Sequence, residues 1–413
     1  MDKEISAKGG NTLWRNHDYL LLWMGQSISA LGTGISQVAF PILIFVLTNN
    51  VGIAGLIFSC GQLPFILFSL PAGALIDRWN RKRIMILCTA GLGLCLLSIA
   101  IIVFSGPPTF VQLALFFVCS FLIGTLTVFY GLAELAALTQ IVPKAQLSQA
   151  LTQNEVVYST VSLTAPPIGT FLLSVGRLLP FVVDSISYAV LLVSLFFIRT
   201  SFREERTEKK PHLLADIREG LRWVWHQPIL RLLIVLSGYL EVIISVNVLV
   251  VPVIAHHAGF SLGIVGFVLA AAGIGNILGA IVNSWLQRRV PFGYVLSGTL
   301  LLFVLIWPFY ALVANPYALG IVIAILSVID SVAYLQSATY RLTIVPDQLQ
   351  GRVGSIARLV IFGSLTLGPA GVGLCLQRFG VTPTIAVLWG GFILLALLVL
   401  ANRQLRRASL PKE

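Results

Sequence analysis

"GALIDRWNRKR" at residues 73–83 and "GAIVNSWLQRR" at residues 279–289 decide the fold. The chain has 413 residues, of which 10% are charged and 57% hydrophobic. Even so, Asp77, Arg78, Arg81, Lys82 and Arg83 crowd together between two long apolar runs. At an offset of 206 residues, Gly, Ala, Trp and the final Arg of the two strings coincide, and Asp77 falls over Asn283. Two further pairs repeat at an offset of 203: "IVPKAQLSQALTQNE" from 141 with "IVPDQLQGRVGSIAR" from 344, and "TAPPIGTFLL" from 164 with "LGPAGVGLCL" from 367. Three matches at nearly one offset, half the chain length, describe a duplicated sequence.

What is duplicated follows from hydropathy. The mean hydropathy is +0.93, which no water-exposed surface of this size supports. Apolar runs of bilayer-spanning length recur throughout. They lie at about 18–47, 52–76, 83–104, 109–138, 149–174, 178–198, 229–255, 261–285, 292–313, 318–342, 355–376 and 381–402. Backbone groups in lipid must be satisfied within their own segment, so the expected fold is an all-α polytopic bundle of 12 helices. The alternating apolar and polar strands of a membrane barrel are absent. Six spans per half is an even number, so the two halves run parallel across the membrane. The expected division is a half at 1–198, a connector at 199–228 and a half at 229–413.

Charge orients the bundle. Of the 27 Lys and Arg, all but Arg177 and Arg378 fall on the side that holds both termini and the connector. Basic loops stay in the cytoplasm, so both termini are expected inside a cell membrane. The formal charge of +11 is therefore an orientation signal, and no soluble basic module exists to bind nucleic acid. The polar start, "MDKEISAKGGNTLWRNHDY", lacks the apolar core of a signal peptide. Cys60, Cys88, Cys95, Cys119 and Cys375 all lie in apolar runs without metal or disulfide spacing. No metal or other cofactor is expected, and neither HExxH nor GxSxG nor a phosphate-binding loop occurs, which argues against an enzyme or an ATP-driven pump.

"GALIDRWNRKR" resembles the major facilitator signature Gly-x-Leu-x-Asp-Arg-x-Gly-Arg-Lys/Arg between spans 2 and 3. It departs at Asn80, where the family has Gly; Asn tolerates a left-handed turn, so the turn is expected to persist. "APPIG" and "GPAGVG" are similar to the superfamily's helix-bend motif, and point to Pro166, Gly169, Gly368 and Pro369. Together with "LLWMGQSIS", these strings resemble the drug-efflux branch that includes macrolide and siderophore exporters. The resemblance implies a gate formed by Gly73, Asp77, Arg78, Arg81, Lys82 and Arg83, with Asp77 held against the start of span 11. The repeat carries Asn283 instead, so one charged latch is expected, in the first half.

Acids at mid-membrane cost about 2.5–3.5 kcal/mol on insertion scales and are functional candidates by default. Glu134, Glu241 and Asp330 are the expected proton-coupling groups, since a carboxyl that alternates between dry and wet surroundings can take up and release a proton. Helical spacing puts each in a polar stripe: Gly124, Thr127, Gly131 and Glu134 with Tyr130 nearby, Ser237, Glu241 and Ser245, and Ser327, Asp330, Tyr334 and Arg341. Gln26, Ser29, Thr33 and Gln37 make a fourth stripe. The resemblance implies that these spans, 1, 4, 7 and 10, line one central cavity. Asp184 is expected to pair with Arg177 at the outer rim, while Arg341 and Arg358 are expected to snorkel or anchor loops. Many drug–proton antiporters carry an Arg in span 4, but no Lys or Arg occurs between Arg83 and Lys144. "LLADIREGLRWVW" reads as an amphipathic helix on the inner leaflet. Trp223, Trp225, Trp285, Trp307 and Tyr310 read as interface anchors. The expected activity is proton-coupled efflux of small amphipathic compounds by a monomer; an importer of the same fold is the alternative and an intramembrane enzyme the remote one.

Overall fold

The computed structural model of the chain describes residues 13–76, 79–106, 109–200, 213–313 and 315–402. Its helices are α1 (His17–Thr48), α2 (Val51–Ile76), α3 (Arg81–Phe104), α4 (Phe110–Ile141), α5 (Leu147–Val175), α6 (Leu179–Phe197), α7 (Leu213–His226), α8 (Pro228–His257), α9 (Leu262–Arg289), α10 (Phe292–Ile306), α11 (Phe309–Leu312), α12 (Pro316–Ile344), α13 (Asp347–Phe379) and α14 (Val381–Ala401). Among the described residues, 12 helical segments are long and apolar enough to cross a bilayer, α10 and α11 together forming one. The expected all-α bundle is therefore the fold.

Local chemistry sets the boundaries. Asn16, Thr109 and Asn315 cap α1, α4 and α12 by accepting from backbone N–H groups two or three residues on. Thr109 and Gln112 complete a reciprocal capping box. Asn49, at φ +50°, closes α1 in the left-handed region, and Gly380, at φ +81°, separates α13 from α14. The turn at Asn80 differs from its expectation. Asn80 is extended, at φ −65° and ψ 112°, and its side chain accepts from the Arg83 N–H as the cap of α3. An amide side chain can satisfy an orphan helix donor, which Gly cannot, so the substitution selects a cap over a left-handed turn. The eleventh span begins at Asp347, earlier than its apolar run at 355, because polar residues can extend a helix beyond the bilayer.

Two seams join the first six crossings to the last six. α2 runs along α13, and α5 along α9. Each seam brings a glycine against a proline-bearing turn. A Cβ on Gly55 would lie 2.2 Å from the Pro369 carbonyl oxygen, and one on Gly266 would lie 2.7 Å from that of Pro166. The Ala370 N–H donates to Ser59 Oγ at 2.8 Å, and the Val51 N–H to Gln377 Oε1 at 3.0 Å. Near the same end, the His256 ring meets Phe45 edge-on at 5.6 Å. These cross-seam contacts lie toward the membrane face opposite the basic loops. Gly275 and Gly279 face α12 instead, where their missing Cβ atoms make room for the Ala324 and Val328 carbonyls.

Two expectations about aromatic residues change. Trp307 is 0% exposed and donates its indole N–H to the Ile385 carbonyl at 3.0 Å. Tyr310 is also buried, and its hydroxyl bonds Asn247 Oδ1 at 2.9 Å. Both stitch α8, α10, α11 and α14 together, each polar tip having found a partner inside the bundle. Trp225 and Trp285 remain exposed beneath the guanidinium groups of Arg231 and Arg289. α7 is not wholly a surface helix. Val224 is buried against Val353, Ile356 and Ala357 of α13, and Glu219 pairs with Arg352 at 2.6 Å, while Leu221 and Trp225 stay exposed. Side chains 213–217, half of its expected apolar stripe, lie outside the description.

Candidate functional site

The gate string is described in part. Asp77 and Arg78 lie outside the described residues, as does the side-chain environment of Gly73. Arg81 is buried, and its Nη1 donates to the Ala136 carbonyl near the end of α4 at 3.2 Å. Lys82 Nζ donates to the Phe196 and Ile198 carbonyls, at 3.2 and 2.6 Å, where α6 ends. Both cations meet the negative ends of neighbouring helices. Arg83 is exposed. In the second repeat, Asn283 is buried and its Oδ1 has no hydrogen-bond partner.

The helix-bend residues sit at close approaches. Pro166 and Pro369 form the seams described above, and a Cβ on Gly169 would lie 2.8 Å from the Ile35 carbonyl of α1. A Cβ on Gly368 would lie 3.3 Å from Ser245 Oγ and from the Val242 Cα of α8. Each small residue lets backbones approach where side-chain packing alone could not bring them.

The intramembrane acids have different surroundings. Glu134 on α4 accepts from Gln26 Nε2 of α1, and the same amide reaches Tyr158 Oη at 3.5 Å. The neighbouring Tyr130 hydroxyl is buried and unpartnered. Asp330 lies on α12 and Glu241 on α8, two helices in contact. Asp330 Oδ1 is buried without a hydrogen-bond partner, and no salt bridge reaches either acid among the described residues. Ser245, one turn from Glu241, is buried and its hydroxyl also lacks a partner. Tyr334, one turn from Asp330, is 44% exposed.

Asp184 is placed differently from its expected rim pairing. No bridge to Arg177 forms among the described residues. Asp184 is 1% exposed and accepts from Ser36 Oγ of α1 and, at 3.2 Å, from Ser187 Oγ. Gly32 makes room, since a Cβ there would lie 2.7 Å from Asp184 Oδ1. Thr33 and Tyr188 share a hydrogen bond of 2.9 Å beside it. With Gln37, Gln62 and Thr127 these residues border a cavity of about 120 Å³ within the first six crossings. Ser29 is buried on the same face of α1.

A second cavity, about 340 Å³, lies across the α2–α13 seam and is bordered by both parts of the chain. Phe65 of α2 and Phe362 of α13 stack there at 5.2 Å, with Thr127 and Gly131 of α4 opposite. Phe65 and Thr127 border both cavities, so the two adjoin. Arg358, expected at the surface or in a loop contact, lines this second cavity. The stripe reading therefore places Thr127 and Gly131 on a cavity wall, and Gly124, whose missing Cβ makes room for the Gly61 carbonyl of α2, borders the smaller cavity. No stripe or motif of the sequence points to Ser36, Phe65 or Phe362. A polar Gln62 in an otherwise apolar run is the sequence signal that could have found the α2 wall. Among the described residues, no cluster of three or more His, Cys, Asp or Glu could hold a metal.

The sequence matches the family described as transmembrane secretion effector over residues 11–411. It is 23% identical to the multidrug efflux pump Tap of Mycobacterium tuberculosis strain H37Rv, over 66% of this chain and 66% of that one, just under two thirds of the pump's length. It is 26% identical to macrolide efflux protein A of Streptococcus pyogenes over 56% of this chain and 57% of that one. Among solved structures, the nucleoside transporter NupG superposes with a TM-score of 0.74 at 12% identity, covering 94% of this chain and 98% of that one. The last is a likeness of fold alone.

Proposed function

Because the chain belongs to the major facilitator superfamily, in its transmembrane secretion effector family, we propose that it expels small amphipathic compounds in exchange for protons. It is a multi-pass membrane transporter of small molecules and not an enzyme. In the proposed cycle, residues 1–198 and 229–413 rock about a shared cavity, with 199–228 as the tether. The basic face is the cytoplasmic one of the plasma membrane, and the unit is a monomer. The seams at Gly55–Pro369 and Gly266–Pro166 hold the opposite face shut, so the form described is the one loaded from the basic side. Arg81 and Lys82, with Asp77, Arg78, Arg83 and Gly73, serve the gate between α2 and α3.

The observation that carries proton coupling is the Glu241–Asp330 pair. Two acids lie on neighbouring helices, α8 and α12, in an apolar bundle, one with a buried oxygen that has no hydrogen-bond partner, and no salt bridge reaches either among the described residues. A carboxyl that is buried in one form of the bundle and hydrated in the other can take up a proton on one side and release it on the other. Glu134 serves as a second exchangeable group in the other half, reported to α1 through Gln26. Efflux in the named relatives supports the direction of transport.

The test uses cells stripped of their own drug pumps and inside-out vesicles made from them. Wild type should lower sensitivity to erythromycin or ethidium and should accumulate ethidium in vesicles only while a proton gradient is held. Glu241→Gln and Asp330→Asn should cut gradient-driven accumulation at least tenfold at equal membrane abundance. Unaltered transport by both variants would remove the coupling assignment, and gradient-driven movement in the opposite sense would make the protein an importer.

A further inference from the structure

The second cavity contains a feature that proton exchange does not use. Arg358 is exposed and lies about 16 Å along α13 from its start at Asp347, just inside the apolar run that begins at 355. Among the described residues its guanidinium has no carboxylate, carbonyl or hydroxyl partner within hydrogen-bond or salt-bridge distance. None of the described residues that line the cavity beside it is an acid. The acid on the facing stripe, Glu134, is engaged by Gln26 of α1. Nor can the neighbouring hydroxyls substitute as donors. Thr127 Oγ1 donates to the Ile123 carbonyl of its own helix and Ser355 Oγ to that of Gly351, both at 2.8 Å. An exposed guanidinium on a cavity wall, with no counter-ion among the described residues, is open to a ligand that enters from the basic side.

Beside this charge the wall is aromatic. Phe65 and Phe362 stack across the seam at an interplanar angle of 24°, one from each half. Gly131 opposite leaves open space, with nothing within 4 Å of where its Cβ would lie. At about 340 Å³ the cavity falls at the small end of ligand pockets. Five N–H donors in a planar fork suit a carboxylate, sulfonate or phenolate, and the stacked rings suit a flat apolar body.

We propose that the Arg358 cavity is a substrate subsite for amphipathic organic anions, the acidic group held by the guanidinium and the apolar body by Phe65 and Phe362. This inference rests on the transporter reading and names the charge class of its cargo. It also makes energetic sense of outward transport, because a cell interior at negative potential drives anions out, by about 2.3 kcal/mol per charge for each 100 mV. Both walls come from different halves, so rocking the halves apart dismantles the subsite and releases what it holds.

Two probes with one apolar body and opposite heads test the charge: 4-(1-pyrenyl)butyrate and 4-(1-pyrenyl)butylamine. Binding to the purified full chain in detergent is read by tryptophan-to-pyrene energy transfer, and transport is read in proteoliposomes. Wild type should bind and move the butyrate in preference to the amine. Arg358→Gln should weaken butyrate binding at least tenfold while leaving the amine unchanged or improved, and Arg358→Lys should keep part of the affinity. Ser355→Asp, which retains Arg358 but sets an acid one turn away, should weaken the butyrate in the same direction and covers the case of an unstable Arg358→Gln protein. Equal loss of both probes in Arg358→Gln, or no preference in wild type, overturns the proposal. Wild type that moves ethidium but does not bind the butyrate removes this subsite and leaves the exporter standing; wild type that moves nothing removes both.

Discussion

Asp184 shows how a single side chain can be misread when its partners are far away in sequence. Seven residues from Arg177, it invites an ion pair, yet its acceptors are taken by Ser36, 148 positions earlier, and by Ser187. The carboxylate thus fastens α1 to α6 inside the bundle. Removing the carboxylate breaks this link; Ser36 Oγ keeps the Thr33 carbonyl and Ser187 Oγ the Asp184 carbonyl as acceptors, so the loss is that of hydrogen bonds to a charged group, about 1.5–3 kcal/mol. Asp184→Ala should therefore lower the unfolding temperature of the detergent-solubilised protein by several degrees. Asp184→Asn, which keeps a carbonyl acceptor and sheds a charge, should stay at or above wild type. A fluorescence-based melting curve distinguishes these outcomes, and an Asn variant as unstable as the Ala variant would mean the charge itself is needed. Lys82 supplies the contrast. Its ammonium group sits on the last carbonyls of α6 at a wet boundary, where a cation at a helix end contributes about 0.3–1 kcal/mol. Lys82→Met should move the same melting curve by no more than a degree or two.

At the scale of elements, the seams are made by absence of side chains rather than by apolar area, because lipid is as apolar as leucine and offers no drive for helices to separate from it. Gly55 is the extreme case, with space for no atom between its Cα and the Pro369 carbonyl. Gly55→Val would force α2 from α13, at a cost of about 1–3 kcal/mol for an overpacked contact, and would also strain the Ser59 to Ala370 bond one turn on. Transport should fall at least tenfold while membrane abundance stays near wild type, as measured by efflux and by immunoblot; full activity would show that this seam is not part of the cycle. Gly131, with open space around it, should accept Ala with little change. Both are glycines in apolar runs, and nothing local separates them. The helices themselves were legible because the bilayer imposes a length and a hydropathy on each one, and the repeat was legible because Gly73 and Gly279, Pro166 and Pro369 recur at nearly one offset. Which glycine faces which helix was not, since that depends on partners on other helices, tens to hundreds of residues away. The burial of Trp307 was hidden for the same reason: its indole N–H bonds a carbonyl of α14 that no spacing within α10 could disclose. The stripes told which face of α4 and α12 is polar, but Arg358 required the packing of α13 against α2 to place it on a cavity.

At the scale of the whole molecule, the distribution of contacts is lopsided across the bilayer. Hydrogen bonds and backbone approaches between the halves, from Val51–Gln377 to Gly266–Pro166, gather toward the face opposite the basic loops. Toward the basic face, Leu135 of α4 is 53% exposed and Tyr334 of α12 is 44% exposed. Alternating access requires this asymmetry to invert once per cycle: the seams must open at one end as the halves close at the other. A tether at the shut end should then stop transport without blocking entry of substrate from the basic side. Cysteines at Val51 and Gln377, whose backbone N–H and side-chain oxygen meet at 3.0 Å, can be bridged by a short reducible bis-maleimide once the five native cysteines are changed to serine. Bridged protein in proteoliposomes should lose at least nine tenths of its ethidium transport, retain ethidium binding within about twofold, and recover transport when the linker is reduced. The two single-cysteine proteins treated alike should keep their activity. Normal turnover in the bridged protein would mean that the seam never opens, and the rocking of two halves would have to be abandoned for a motion confined to the basic side.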